Sequence, residues 1–134
     1  MEEGGRVPLI VAVPASRARG LHCRRIVELI DLYPTLAGRA GLEPPAGIQG
    51  KSLLPLLEDP SGPAVRDNAL IQAGRHFALR TEKWALTRHA GETMLYDMAA
   101  DPAQHRNLSG RPEVAEVEKK LNTRLDQRLA EARR

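Results

Sequence analysis

The sequence predicts an α/β fold, α+β over a chain of this length, and three observations predict it. Residues 7–13 form one unbroken, largely β-branched apolar run. Four short strand-like stretches follow between residues 69 and 97, and a long amphipathic pattern begins at Pro112. Together they describe one central-sheet strand with its helix, then a small antiparallel sheet packed by a C-terminal helix.

The run Val7-Pro8-Leu9-Ile10-Val11-Ala12-Val13 is continuously apolar rather than alternating, as in a strand buried on both faces. Pro8 is tolerable near a strand start, and Pro14 ends it. Such a strand needs neighbours to hydrogen-bond with and helices to cover it, so a single one is an orphan. The preceding Met1-Glu2-Glu3-Gly4-Gly5 reads as flexible and acidic, where a signal peptide would open basic and then apolar.

Residues 16–23 are a basic, polar connection. Residues 24–40 carry Ile26, Leu29, Ile30, Tyr33, Leu36 and Ala37 at three- and four-residue intervals, a helix that Pro34 should kink or split. Asp31 can cap a second turn near Pro34, and Gly41 is the expected stop. Residues 43–50 are loop, 52–57 a short apolar helical turn, and Asp59-Pro60-Ser61-Gly62-Pro63 is turn chemistry. The chain is therefore divided into 1–60 and 61–134.

In the second part, residues 69–73, 76–81, 83–88 and 93–97 read as strands of a meander, with turns at Thr81-Glu82 and His89-Ala90-Gly91-Glu92. From Pro112 to about Ala132 the pattern is helical. Proline and Glu113 and Glu116 stand at its start, and Arg133 and Arg134 at its end, complementing the helix dipole. Val114, Val117, Leu121, Leu125 and Leu129 make its apolar face.

Composition narrows the chemistry. Twenty basic against 17 acidic residues leave a net charge of only +3, and the signs are mixed along the chain, so no polyanion-binding stripe is marked. Aromatic residues are 3%, too few for a ladder of base-stacking platforms, and no nucleic-acid partner is expected. The longest apolar run is far below the roughly 20 residues of a spanning helix, and no membrane partner is expected either. With one cysteine, Cys23, neither a disulfide framework nor a multi-cysteine metal site can form.

Cys23 stands beside His22 and before Arg24 and Arg25, which would favour a thiolate, yet sequence neighbours rarely turn toward one another. His22, His76, His89 and His105 show no metal-ligand spacing. Asp97 and Asp101 read as a strand end feeding a turn. The basic Arg17, Arg19, Arg24 and Arg25 read as a solvated loop. No complete catalytic set and no metal site emerge.

Whole stretches nevertheless resemble type I sulfatases. Arg6-Val7-Pro8-Leu9-Ile10-Val11-Ala12-Val13-Pro14 resembles the strand after the active-site lysine region. Val27-Glu28-Leu29-Ile30-Asp31-Leu32-Tyr33-Pro34-Thr35-Leu36-Ala37, continuing through Gly41-Leu42-Glu43-Pro44-Pro45, resembles the next helix and loop. Gln49-Gly50-Lys51-Ser52-Leu53-Leu54-Pro55-Leu56-Leu57, Leu79-Arg80-Thr81-Glu82-Lys83-Trp84, and Leu95-Tyr96-Asp97-Met98 with Asp101-Pro102 and Asn107-Leu108 follow in the family's order. The iduronate-2-sulfatase-like or choline-sulfatase-like branch is the nearest variety.

The resemblance implies part of an alkaline-phosphatase-like fold. It implies a C-terminal sulfatase fragment without nucleophile or metal ligands, inactive alone, from a split or truncated gene. The intact family uses a formylglycine made from a Cys/Ser-x-Pro/Ala-x-Arg motif and a divalent cation, usually calcium; Cys23 is followed by Arg24-Arg25-Ile26 and is not that motif. The implied partners are an N-terminal sulfatase chain, or self-association through the exposed strand, and a sulfated small molecule or sugar in the intact enzyme. Substrate-side contacts fall to Arg75, His76 and Arg88; the alternative is a non-catalytic structural or interaction module.

Overall fold

The computed structural model describes residues 2–14, 16 and 18–133. Ala15, Arg17 and Arg134 lie outside the described residues, and with them part of the basic loop and of the C-terminal charge pair. The chain forms two compact units, residues 1–67 and 68–134.

The first unit is helical. A single turn, α1 (Glu2–Gly5), stands where the sequence reads as flexible. Residues 6–13 form no strand, which corrects the expectation of a sheet element there. The physical reason is the one that makes the run an orphan: a strand exists only through hydrogen bonds to a neighbour, and here Ile10 is 90% exposed.

The helix expected over 24–40 is shorter and split. A 3-10 turn, Leu29–Asp31, leads into α2 (Leu32–Arg39), and Glu28 before them is still extended. Pro34 sits in the first turn of α2, where its missing N–H costs nothing. The far end is a Schellman cap: Leu42 N–H donates to the Ala37 carbonyl (2.9 Å) and Gly41 N–H to that of Gly38 (3.2 Å), with Gly41 at φ 72°. The short α3 (Leu54–Glu58) buries Leu56, and Leu53 just ahead of it is buried too.

The second unit is a meander of β1 (Asn68–Ala73), β2 (His76–Thr81), β3 (Trp84–His89) and β4 (Glu92–Asp97), antiparallel in that order. The register sets Leu70, Leu79, Leu86 and Leu95 in one row across the sheet. A 3-10 turn, Pro112–Val114, opens α4 (Ala115–Glu131). Leu79, Leu86 and Leu95 form one core with Val114, Leu121 and Leu125, flanked by Phe77, Trp84, Leu108, Val117 and Leu129. The helix thus covers the leucine face, as its apolar period requires.

Between sheet and helix, Asn107 and Leu108 continue the ladder past β4. The Asn107 side-chain oxygen Oδ1 accepts Leu95 N–H (2.9 Å), and Leu108 N–H donates to Leu95 O (2.8 Å). Buried Arg128 of α4 donates to the side-chain oxygen of buried Asn68 at the start of β1 (3.1 Å).

Candidate functional site

The densest polar cluster lies in the first unit, around Asp31, which is fully buried. One carboxylate oxygen accepts Lys51 N–H (2.7 Å) and Arg66 Nη2; the other accepts Glu28 N–H and Arg66 Nε, both at 2.8 Å. Arg66 also donates from Nη1 to Glu28. Thr35 Oγ1 donates to the Asp31 carbonyl (2.5 Å) and accepts Leu53 N–H (2.8 Å). The sequence assigns Asp31 to capping a turn near Pro34; its side chain makes no cap bond to α2 but closes a capping box on the 3-10 turn through Glu28 N–H, and it also holds the Lys51 amide and an arginine 35 residues away. With its four acceptor positions filled, this carboxylate is a clamp and has no lone pair left for a substrate or cation.

Arg25, one of the basic loop residues, ties down the same unit by donating to the carbonyls of Gly62 (2.9 Å) and Ser61 (3.1 Å). Cys23 is exposed.

In the second unit the three sequence-derived substrate positions do not converge. Arg75 is exposed in the β1–β2 turn, beside Gly74 at φ 59°. His76 opens β2, and its ring stacks on His89 of β3 with centroids 3.5 Å apart and planes within 2°. Arg88 is paired with Phe77, so by strand alternation it shares the Phe77 and Leu86 face, opposite His76. There its Nη2 meets Asp126 of α4 at 2.6 Å.

His89 is the residue that sequence reasoning missed at this sheet end. Its Nδ1 is buried without a hydrogen-bond partner. The signal was available, because His76 and His89 are equidistant from the Thr81–Trp84 turn and must face each other across the hairpin.

Asp97 and Asp101 are loop anchors. One Asp97 oxygen accepts Ala99 and Ala100 N–H (3.0 and 3.2 Å), while Asp101 accepts His105 N–H (3.1 Å) and Arg106 N–H (2.8 Å). Burial alone would raise Asp97, but those amides and Lys83 outweigh it and hold its carboxyl below the usual value. Asp101 is lowered chiefly by the Arg106 and His105 amides.

These residues do not fit a resident cation or formylglycine. Among the described residues no three His, Cys, Asp or Glu side chains gather where a metal ion could be held, and Cys23 lacks the surrounding motif. No helix is long and apolar enough to cross a membrane.

A four-stranded meander under a long helix, with a clamped helix-loop unit before it, defines the C-terminal region of an alkaline-phosphatase-like sulfatase. The chain belongs to the family of N-sulphoglucosamine sulphohydrolase, C-terminal, whose model matches residues 1–131. It is 30% identical to the ulvan-active sulfatase of Formosa agariphila, over 97% of this chain and 28% of that protein. It is 33% identical to the N-acetylglucosamine-6-O-sulfatase of Bacteroides thetaiotaomicron, over 94% of this chain and 25% of the relative. A protein solved in complex with its substrate D-glucosamine-2-N, 6-O-disulfate superposes with a TM-score of 0.67 at 33% identity, over 75% of this chain and 23% of that one. The chain thus spans about a quarter of the length of these relatives.

Proposed function

We propose that this chain is the C-terminal region of a sulfuric-ester hydrolase acting on a sulfated sugar or related small ester, and that it is inactive alone. The nucleophile and the divalent cation belong to the N-terminal portion, carried on a partner chain or on preceding polypeptide. Residues 1–60 complete the main domain, and residues 61–134 form the C-terminal subdomain beside the substrate cleft. Arg75 and His76 contribute on the substrate side from the β1–β2 end, and Arg88 does so on release from Asp126.

The carrying observation is the family match over residues 1–131 against relatives about four times longer. On this reading the enzyme belongs to an iduronate-2-sulfatase-like or choline-sulfatase-like branch, and the relatives named for ulvan and N-acetylglucosamine-6-O-sulfate chemistry favour the sugar side of that choice.

The test is sulfate release from glucosamine 6-sulfate by the chain alone, and by the chain mixed with an N-terminal sulfatase portion carrying the formylglycine motif. No release alone and release from the mixture is expected. Hydrolysis by the isolated chain, or a mixture that neither associates nor turns over, overturns the reading.

A second reading, a non-catalytic structural or interaction module, is favoured by the closed core of residues 68–134. It predicts that this segment unfolds cooperatively by itself and that no pairing restores hydrolysis.

A further inference from the structure

The two units treat their apolar side chains differently. Among the described residues, eleven large hydrophobics are exposed, and all eleven fall between Val7 and Ile48. The second unit contributes none; its leucines are enclosed between sheet and α4. Isolated exposed leucines are ordinary on any protein, but a concentration of them marks an interaction surface.

Within the first unit the exposure is ordered. Leu29, Tyr33 and Leu36 are 65%, 55% and 64% exposed, at spacings of four and three that stack them on one side of the 3-10 turn and α2. Asp31, Pro34 and Thr35 are buried on the other side, held by the clamp. The helix is therefore fixed by its polar side and offers its apolar side outward, the reverse of a surface helix on a finished domain.

We infer that Leu29, Tyr33 and Leu36 form the surface onto which the N-terminal sulfatase portion docks. The inference rests on the reading under Proposed function and adds to it the place of contact. Length commits the occupant: the chain accounts for 28% and 25% of two relatives, so most of such a polypeptide remains to cover an apolar stripe. Covering it removes three large side chains from water.

The experiment uses the full chain and the separately produced N-terminal portion of the N-acetylglucosamine-6-O-sulfatase relative, the part preceding the matched quarter. Hydroxyl-radical labelling of Leu29, Tyr33 and Leu36 is expected to fall several-fold in the mixture. Leu29→Asp and Leu36→Asp are expected to weaken association at least about tenfold, while Thr123→Asp on the exposed side of α4 leaves it unchanged. Because the footprint is read on the wild-type chain, a variant that fails to fold does not decide the matter. Association with the stripe still fully labelled, or equal binding by the folded variants, overturns this inference and leaves the functional reading standing. Absence of any association overturns both. A stripe already protected in the chain alone, with a dimer in sedimentation, assigns it to a second copy and overturns the inference.

Discussion

Arg66 lays its guanidinium fork along the carboxylate of Asp31, with Nε 2.8 Å from Oδ2 and Nη2 on Oδ1, and both residues are buried. The pair joins the entry of α2 to the last residues of the first unit, and Glu28 and Lys51 complete it through their own contacts to the same two side chains. Removing Asp31 leaves the buried Arg66 with Glu28 alone, and removing Arg66 leaves two carboxylates without their cation. Asp31→Ala is expected to destabilise this unit by about 3–5 kcal/mol. Arg66→Lys should recover little of what Arg66→Ala loses, because an ammonium cannot bridge both oxygens. Urea unfolding followed by the Lys51 amide resonance measures both, and a loss under about 1 kcal/mol for Asp31→Ala would show that the clamp is dispensable.

Gly50 predicts a second sensitivity of the same region. A methyl group there would lie on the Ile30 carbonyl, 2.9 Å from its carbon, and 3.1 Å from Pro34 Cδ. Backbone on one side and a ring on the other leave nothing flexible to yield. Gly50→Ala is expected to cost about 1–3 kcal/mol, as overpacking does, and to shift the Lys51 amide resonance as the Asp31 contact lengthens. An unchanged unfolding midpoint and unchanged Lys51 shift contradict this.

Most of the second unit was legible because its patterns are local. Alternation fixed the four strands to within a residue at each end, and the leucine period of α4 placed Leu121 and Leu125 in the core. The first unit was less legible because its determinants are distant. Ile26 keeps the helical period, yet Glu28 stays extended with its N–H held by Asp31, and no local pattern announces an arginine 35 positions later. Residues 7–13 carry strand propensity that no described neighbour satisfies with a ladder. At the sheet end, Arg75, His76 and Arg88 are close in sequence terms, but strand parity sends Arg88 to the helix side and His76 to the other.

The β3–β4 turn holds a correctable strain. Ala90 and Gly91 both have positive φ, 49° and 86°, as a two-residue type I′ hairpin requires. Glycine adopts this freely, whereas alanine places Cβ against the following carbonyl. Ala90→Asn is therefore expected to stabilise the second unit by about 1 kcal/mol, since asparagine tolerates this region. Thermal unfolding of the two chains side by side reads the gain, and a lower midpoint for Ala90→Asn refutes the account.

Asp101 gives the chain a predictable acid response. Its carboxyl is held below 3.8, first by the Arg106 amide and then by that of His105, against a smaller opposing effect of desolvation. A folded value lower than the unfolded one means that the unfolded chain binds more protons as acid is added. The stabilisation is thus fully present above the unfolded value and is lost as pH falls through the folded one. Asp101→Asn should be less stable than wild type at neutral pH, and the gap should close below about pH 3.8. Carbon-detected titration of the side chain supplies the direct check: a midpoint at or above 3.8 would remove the amides as its cause, whereas a depressed midpoint with a converging pair of stability curves ties the loop at residues 101–106 to this one carboxylate.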